Sequence, residues 1–169
     1  DMFFHSVENH GRHVLECPLQ CNNQEYTMDF EDLEKKLSDP LTTLMILCNP
    51  HNPVGKVWTG EELQKIGSLC KKHHVVVLSD EIHCDLTLNQ AEYVPFAAAS
   101  AECAQNSITC IAASKAFNLA GFQSAAVYIP HEGIRAVMDR GLNSDEVAEP
   151  NCFAIESTVA ALTKGGEWL

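Results

Sequence analysis

The chain has 169 residues, of which 46% are hydrophobic and 20% charged, which fits one globular domain with a real core. Its formal net charge of −12 argues against a nucleic-acid surface, which needs a clustered basic excess. No apolar run approaches the ~20 residues of a membrane span, and Asp1-Met2-Phe3-Phe4-His5 has neither the basic start nor the apolar core of a signal peptide.

The eight cysteines include no CxxC pair. Cys48, Cys70 and Cys110 fall in apolar runs, where a free thiol behaves as a small hydrophobe. That usage predicts a reducing, cytoplasmic setting. Without a CxxC pair, no metal is expected.

Residues 1–28 read as irregular, with a short strand over Arg12–Cys17. Asp29 is placed to cap a helix in which Phe30, Leu33 and Leu37 recur on one face, and Asp39-Pro40 ends it. Leu44–Cys48 is an unbroken apolar run, as strands of a parallel sheet covered on both faces require. A turn-rich loop, Asn49 to Lys56, leads to Thr59 and Glu62, a capping box for a helix with Leu63, Ile66, Leu69 and Cys70 as its apolar stripe. Glu61 and Glu62 suit its positive end; Lys71, Lys72 and His73 suit its negative end.

Val75–Leu78 predicts a second buried strand, ending in Ser79-Asp80-Glu81. A short helix near Phe96–Ser100 follows, then a third strand, Ile108–Ala112, and a fourth, Ala125–Ile129, stopped by Pro130. Further helices are marked by Ile134, Val137 and Met138, and by Phe153, Val159 and Leu162. Strands alternating with helices predict an α/β fold with a mainly parallel sheet and right-handed crossovers. Trp168 and Leu169, large and apolar at the last two positions, together with the small number of strands, predict a piece of a larger protein.

Three polar residues follow three successive strands: Asn52, Asp80 and Lys115, separated by 28 and 35 residues. In a parallel sheet those strands end at one edge, where open α/β sheets bind their ligands. Lysine is costly to bury unless it is paired or chemically used. Amine, carboxylate and amide together suit an aldehyde cofactor with a basic ring nitrogen and a phenolic oxygen, as in pyridoxal 5'-phosphate.

Each residue also has a plainer reading. Asp80 could cap the segment after its strand, and Asn52 could serve only the turn before Pro53. His83 could be structural, and Ser114 could cap a short helix. His51, Trp58, Glu81 and Tyr128 read as packing or loop residues. Cys84 lies near Asp80 but has no base partner that would make it a nucleophile.

The stretches Cys48-Asn49-Pro50-His51-Asn52-Pro53-Val54-Gly55, Ser79-Asp80-Glu81-Ile82-His83 and Ser114-Lys115-Ala116-Phe117-Asn118-Leu119-Ala120-Gly121 carry a family resemblance. In their order and spacing the chain resembles the fold-type I pyridoxal-phosphate enzymes. Within them it is similar to the cystathionine β-lyase-like branch of the class I/II aminotransferase group. The resemblance implies a three-layer α/β sandwich, with residues 1–169 forming a single partial domain: the central part of the cofactor-binding large domain.

It also implies roles. Lys115 would attach the cofactor as a Schiff base, Asp80 would keep its pyridine nitrogen protonated, and Asn52 would bond its phenolic oxygen. His83 would lie near the ring edge, and Ser114 would reach the phosphate. The chain departs from many relatives at Gln123, where they carry arginine, and at Ala112, where they carry serine. The family's phosphate loop, ring-stacking aromatic and substrate-carboxylate arginine belong to regions outside this chain. The implied activity is a carbon–sulfur β-lyase acting on cystathionine or cysteine-type amino acids, with aminotransferase as the alternative. A non-catalytic fragment is the alternative of another class. The resemblance further implies a homodimeric parent with a small amino-acid substrate.

Overall fold

The computed structural model describes residues 2–88 and 91–169. Its central element is a four-stranded sheet. The strands are β3 (Leu44–Cys48), β4 (Val76–Asp80), β5 (Ser107–Ile111) and β6 (Ala126–Tyr128), adjacent in that order. β3, β4 and β5 are parallel, with Cys48 opposite Asp80 and Asp80 opposite Cys110. β6 runs antiparallel to β5 and pairs Ala126 with Ile111. The α/β class with a mainly parallel sheet is therefore as the sequence predicts.

The early segment differs from the expectation. Arg12–Cys17 contains no strand, whereas Met2–Glu8 forms α1. A small antiparallel pair, β1 (Gln20–Asn22) and β2 (Glu25–Thr27), turns through Asn23 and Gln24, both at positive φ. These short elements bury little and leave no apolar period for a sequence to display.

Side-chain caps fix the helices that follow. The Asp29 carboxylate accepts from the Glu31 and Asp32 amides and starts α2 (Phe30–Leu37). Thr59 and Glu62 close the expected capping box of α3 (Gly60–Lys72). Where one short helix was predicted there are two, α4 (Phe96–Ala99) and α5 (Ala101–Gln105), the second capped by the Ser100 hydroxyl. After β6 come α6 (Glu132–Ser144) and α7 (Ala154–Lys164).

The core lies on one side of the sheet. Leu47, Val75 and Val77 from the sheet region pack with Leu33 and Leu37 of α2, Leu63, Ile66 and Cys70 of α3, Phe96 of α4 and Cys103 of α5. Gly67 allows α5 to approach α3, because a β-carbon there would lie 2.3 Å from the Cys103 sulfur. Along β4 the burial alternates: Val77 and Ser79 are buried, Val76, Leu78 and Asp80 only partly so. The unbroken apolar runs thus hide a two-sided pattern, because the less covered side is apolar as well. The apolar positions of α6 and α7 contrast with those of α3, since Val137, Phe153, Val159 and Leu162 are all exposed.

Candidate active site

β3, β4 and β5 present their carboxyl ends at one edge, and Asn52, Asp80 and Lys115 all follow from those ends. Asp80 is the last residue of β4 and belongs to the less covered face. Its Oδ1 accepts the Ile82 amide at 3.2 Å. In-register neighbours on both sides are thiols, Cys48 and Cys110. Burial and then the Asp80 charge push the Cys48 thiol up; the same two causes, with Glu81, raise Cys110 to about 11. Both thiols therefore stay neutral beside the carboxylate, leaving Asp80 as the acidic group of that row.

Asn52 stands on the loop after β3, within the turn that the His51–Lys56 bridge closes. Its side chain is exposed and lines a cleft of about 150 Å³ between this loop and residues 83–88. His83 lines the same cleft, with Leu86 and Leu88 beside it. The structure thus brings Asn52 and His83 together on one opening. His51 shares this cleft, and burial holds its imidazole below the usual range.

Lys115 lies on a loop of residues 112–125 that leaves β5 and returns to pair beside it as β6. Its neighbours Ala113 and Ala116 are buried while Lys115 itself is exposed. Among the described residues the ammonium has no hydrogen bond or ion pair. Ser114 is half-buried, and its carbonyl takes the Leu119 amide across the turn. Gln123 has left-handed φ and ends a short 3-10 turn, Ala120–Phe122.

The loop is braced from the C-terminal end of the chain. The Trp168 indole N–H donates to the Ala116 carbonyl at 3.2 Å, and the Asn151 amide donates to the Phe122 carbonyl. Gly165 meets the Phe117 ring so closely that a β-carbon there would lie 2.5 Å from it. Trp168, which the sequence leaves with no obvious role, is 70% exposed yet supports the lysine loop through its one polar atom.

A residue read as packing proves to be a polar hub. Glu81 is 1% exposed. Its carboxylate accepts from the Ser79 hydroxyl at 2.7 Å, from the Phe96 amide at 2.9 Å and from the Tyr93 hydroxyl. The signal in the sequence is parity: Glu81 shares its side of the strand with Val77 and Ser79, so it points into the core. Trp58, read as packing, is fully buried and donates its indole N–H to the Cys48 carbonyl at 2.8 Å.

An exposed amine, a carboxylate fixed at a strand end and an exposed amide suit a group carrying an aldehyde, a basic ring nitrogen and a hydrogen-bonding oxygen. The donor set fits that chemistry by residue type, with Asn52 and His83 on one cleft and Asp80 at the end of β4.

The chain is similar to known proteins over nearly its whole length. Residues 1–163 match the family described as aminotransferase class I and II. The chain is 50% identical over 167 residues to cystathionine beta-lyase PatB of Bacillus subtilis (strain 168), covering 99% of this chain and 43% of that protein. Its fold superposes on cystalysin from Treponema denticola, which contains pyridoxal 5'-phosphate, with a TM-score of 0.94 and 32% identity, over 98% of this chain and 42% of the other. The pyridoxal-phosphate-bound C–S lyase from Staphylococcus hominis gives a TM-score of 0.89 and 33% identity, over 98% and 41%. The chain therefore spans about 43% of the length of the curated relative it matches at 50% identity.

Proposed function

The chain belongs to the aminotransferase class I and II family, and from that premise we propose that it is the central part of the cofactor-binding domain of a pyridoxal-phosphate-dependent carbon–sulfur β-lyase. The observation that carries the reading is the set of three adjacent parallel strands whose ends lead to Asn52, Asp80 and Lys115. The similarity to a cystathionine beta-lyase and to a C–S lyase supports the substrate class: cystathionine or a cysteine-type amino acid.

Pyridoxal phosphate, when bound, supplies a ring into which electron density from the substrate Cα can spread. The chain's own residues bind, orient and move protons. Lys115 would be the attachment point, and its free amine would take the proton from the substrate Cα. Asp80 would keep a proton on the ring nitrogen, and the neutral thiols on either side add no competing charge. Asn52 would donate its amide N–H to the phenolic oxygen. His83 would serve near the ring, and the Ser114 hydroxyl would donate to the phosphate. Loss of the Cα proton would permit the Cβ–S bond to break, its electron pair leaving on sulfur as a thiolate that takes the proton held by Lys115 and departs as a thiol.

A homodimeric, cytoplasmic parent goes with this reading. Among the described residues no helix is long and apolar enough to cross a membrane. The family's own description favours one second reading, an aminotransferase, which would use the same Lys115 proton transfer but return the proton on the cofactor side.

The test is reconstitution with pyridoxal phosphate, borohydride reduction and peptide mapping. A pyridoxyl group on Lys115 is the expected result, and an unlabelled Lys115 would overturn the attachment. Release of a keto acid and a thiol from cystathionine by the full-length parent supports the lyase. Transamination without thiol release supports the second reading.

A further inference from the structure

The end of β4 brings two adjacent carboxylates, Asp80 and the next residue Glu81, to opposite sides of the sheet. Asp80 lies on the less covered face, while Glu81 enters the core, where Ser79, Tyr93 and Phe96 all donate to it. Two of those donors come from the segment after residue 92, which runs behind the strand ends. The same segment is tied a second time, at β3: the buried Asn49 side chain donates to the Val94 carbonyl at 2.9 Å. Asn49 also donates its backbone N–H to the Asp80 carbonyl at 2.9 Å, and the Glu81 N–H reaches the Cys110 carbonyl at 2.8 Å. Residues 93–96 are thus fastened to the ends of β3 and β4 from the side opposite Asp80.

A carboxylate buried to this degree stays in place only when its oxygens are satisfied. Burial, and next the bond to Glu81, push the Tyr93 phenol well above its ordinary range, so Tyr93 remains a donor. Removing one partner leaves a buried acceptor unpaired, and the strand end must shift to let water or another donor reach it. Asp80 is the next residue along the same backbone, so any such shift is passed to its carboxylate.

We propose that Glu81, bonded to Ser79, Tyr93 and Phe96, is a positioning residue: a latch on the reverse side of the sheet that holds the Asp80 carboxylate in its working place. The proposal deepens the cofactor reading above and rests on it for its functional meaning. Glu81 touches neither cofactor nor substrate. Its effect passes through the strand end.

Two mild variants of the full chain test the latch. Glu81→Gln keeps the shape and removes the charge, whereas Tyr93→Phe keeps the charge and removes one donor. The first readout needs no cofactor: the amide signal of Ile82, whose N–H reports on the Asp80 carboxylate. Both variants are expected to move that signal and to speed its hydrogen exchange about tenfold, while amides of α3 keep their protection. The second readout is titration with pyridoxal phosphate, where a displaced partner for the ring nitrogen should weaken binding by about tenfold and move the absorption band. An Ile82 signal unchanged in both variants overturns the latch. So does unchanged cofactor affinity and spectrum in variants whose wild type binds. Should the wild type take up no cofactor, the functional reading fails, and the Ile82 signal alone still decides whether Glu81 holds Asp80.

Discussion

The two faces of one sheet divide the labour in this chain. On β4, Val77, Ser79 and Glu81 turn toward α3 and α4 and are sealed from water, whereas Val76, Leu78 and Asp80 turn the other way and stay partly accessible. Residues one position apart therefore answer to different demands. The sealed face supplies burial energy and a fully bonded carboxylate. The open face keeps a charge, Asp80, where a ligand can reach it. A strand can do both because its side chains alternate.

That comparison can be broken by substitutions on either side. The largest effect is all-or-none: Lys115→Ala should abolish borohydride-fixed cofactor while leaving the urea midpoint nearly unchanged, since the side chain is exposed. A large loss of stability instead would mean the lysine loop is structural. Next, Ile66→Ala, at a fully buried position of α3, should cost about 2–5 kcal/mol in urea unfolding. The faces can then be compared one residue apart. Val77→Ala removes two sealed methyl groups and should cost about 1.5 kcal/mol, at roughly 0.8 kcal/mol for each. Val76→Ala, on the open face, should cost clearly less in the same unfolding measurement; equal costs would erase the distinction.

The smallest effect is a pH dependence. The Asp29 carboxyl is held below its ordinary range, first by the Asp32 amide and then by Gln20 and Glu31. Its folded value lies below its unfolded one, so its contribution is present above the unfolded value and is lost as pH falls through the folded one. Asp29→Asn, an equally good cap, should flatten the acid limb of stability measured by urea melts from neutral pH downward. An unchanged limb would show that α2 owes nothing to that charge.

Much of the sealed side was legible in the sequence, because its signals are local. Asp29 and Thr59 announce α2 and α3, and Leu63, Ile66 and Cys70 repeat at helical spacing. Asn52, Asp80 and Lys115 drew notice for a different reason: polar residues that follow apolar runs stand out. Less visible were features that depend on direction or on distant partners. Nothing in Ala126-Val127-Tyr128 marks the strand as antiparallel, and Glu81 was masked by Asp80 beside it. Tyr93, twelve residues beyond Glu81, gives no local sign that it will return to it. Trp168 and Asn151 reach the lysine loop from far along the chain, which no periodicity reveals.

The reversal of β6 has a consequence for Lys115. Because β6 runs back along β5, the loop of residues 112–125 begins and ends at the same place, held shut by the pairing of Ile111 with Ala126. The entropy of closing a loop depends on where its ends are held. The β5–β6 ladder has already confined them, so the loop that carries Lys115 starts and stops beside the sheet. The rung that closes the loop, Ile111 with Ala126, stands four residues before Lys115. Loosening that rung would lengthen the tether while leaving the lysine itself unaltered.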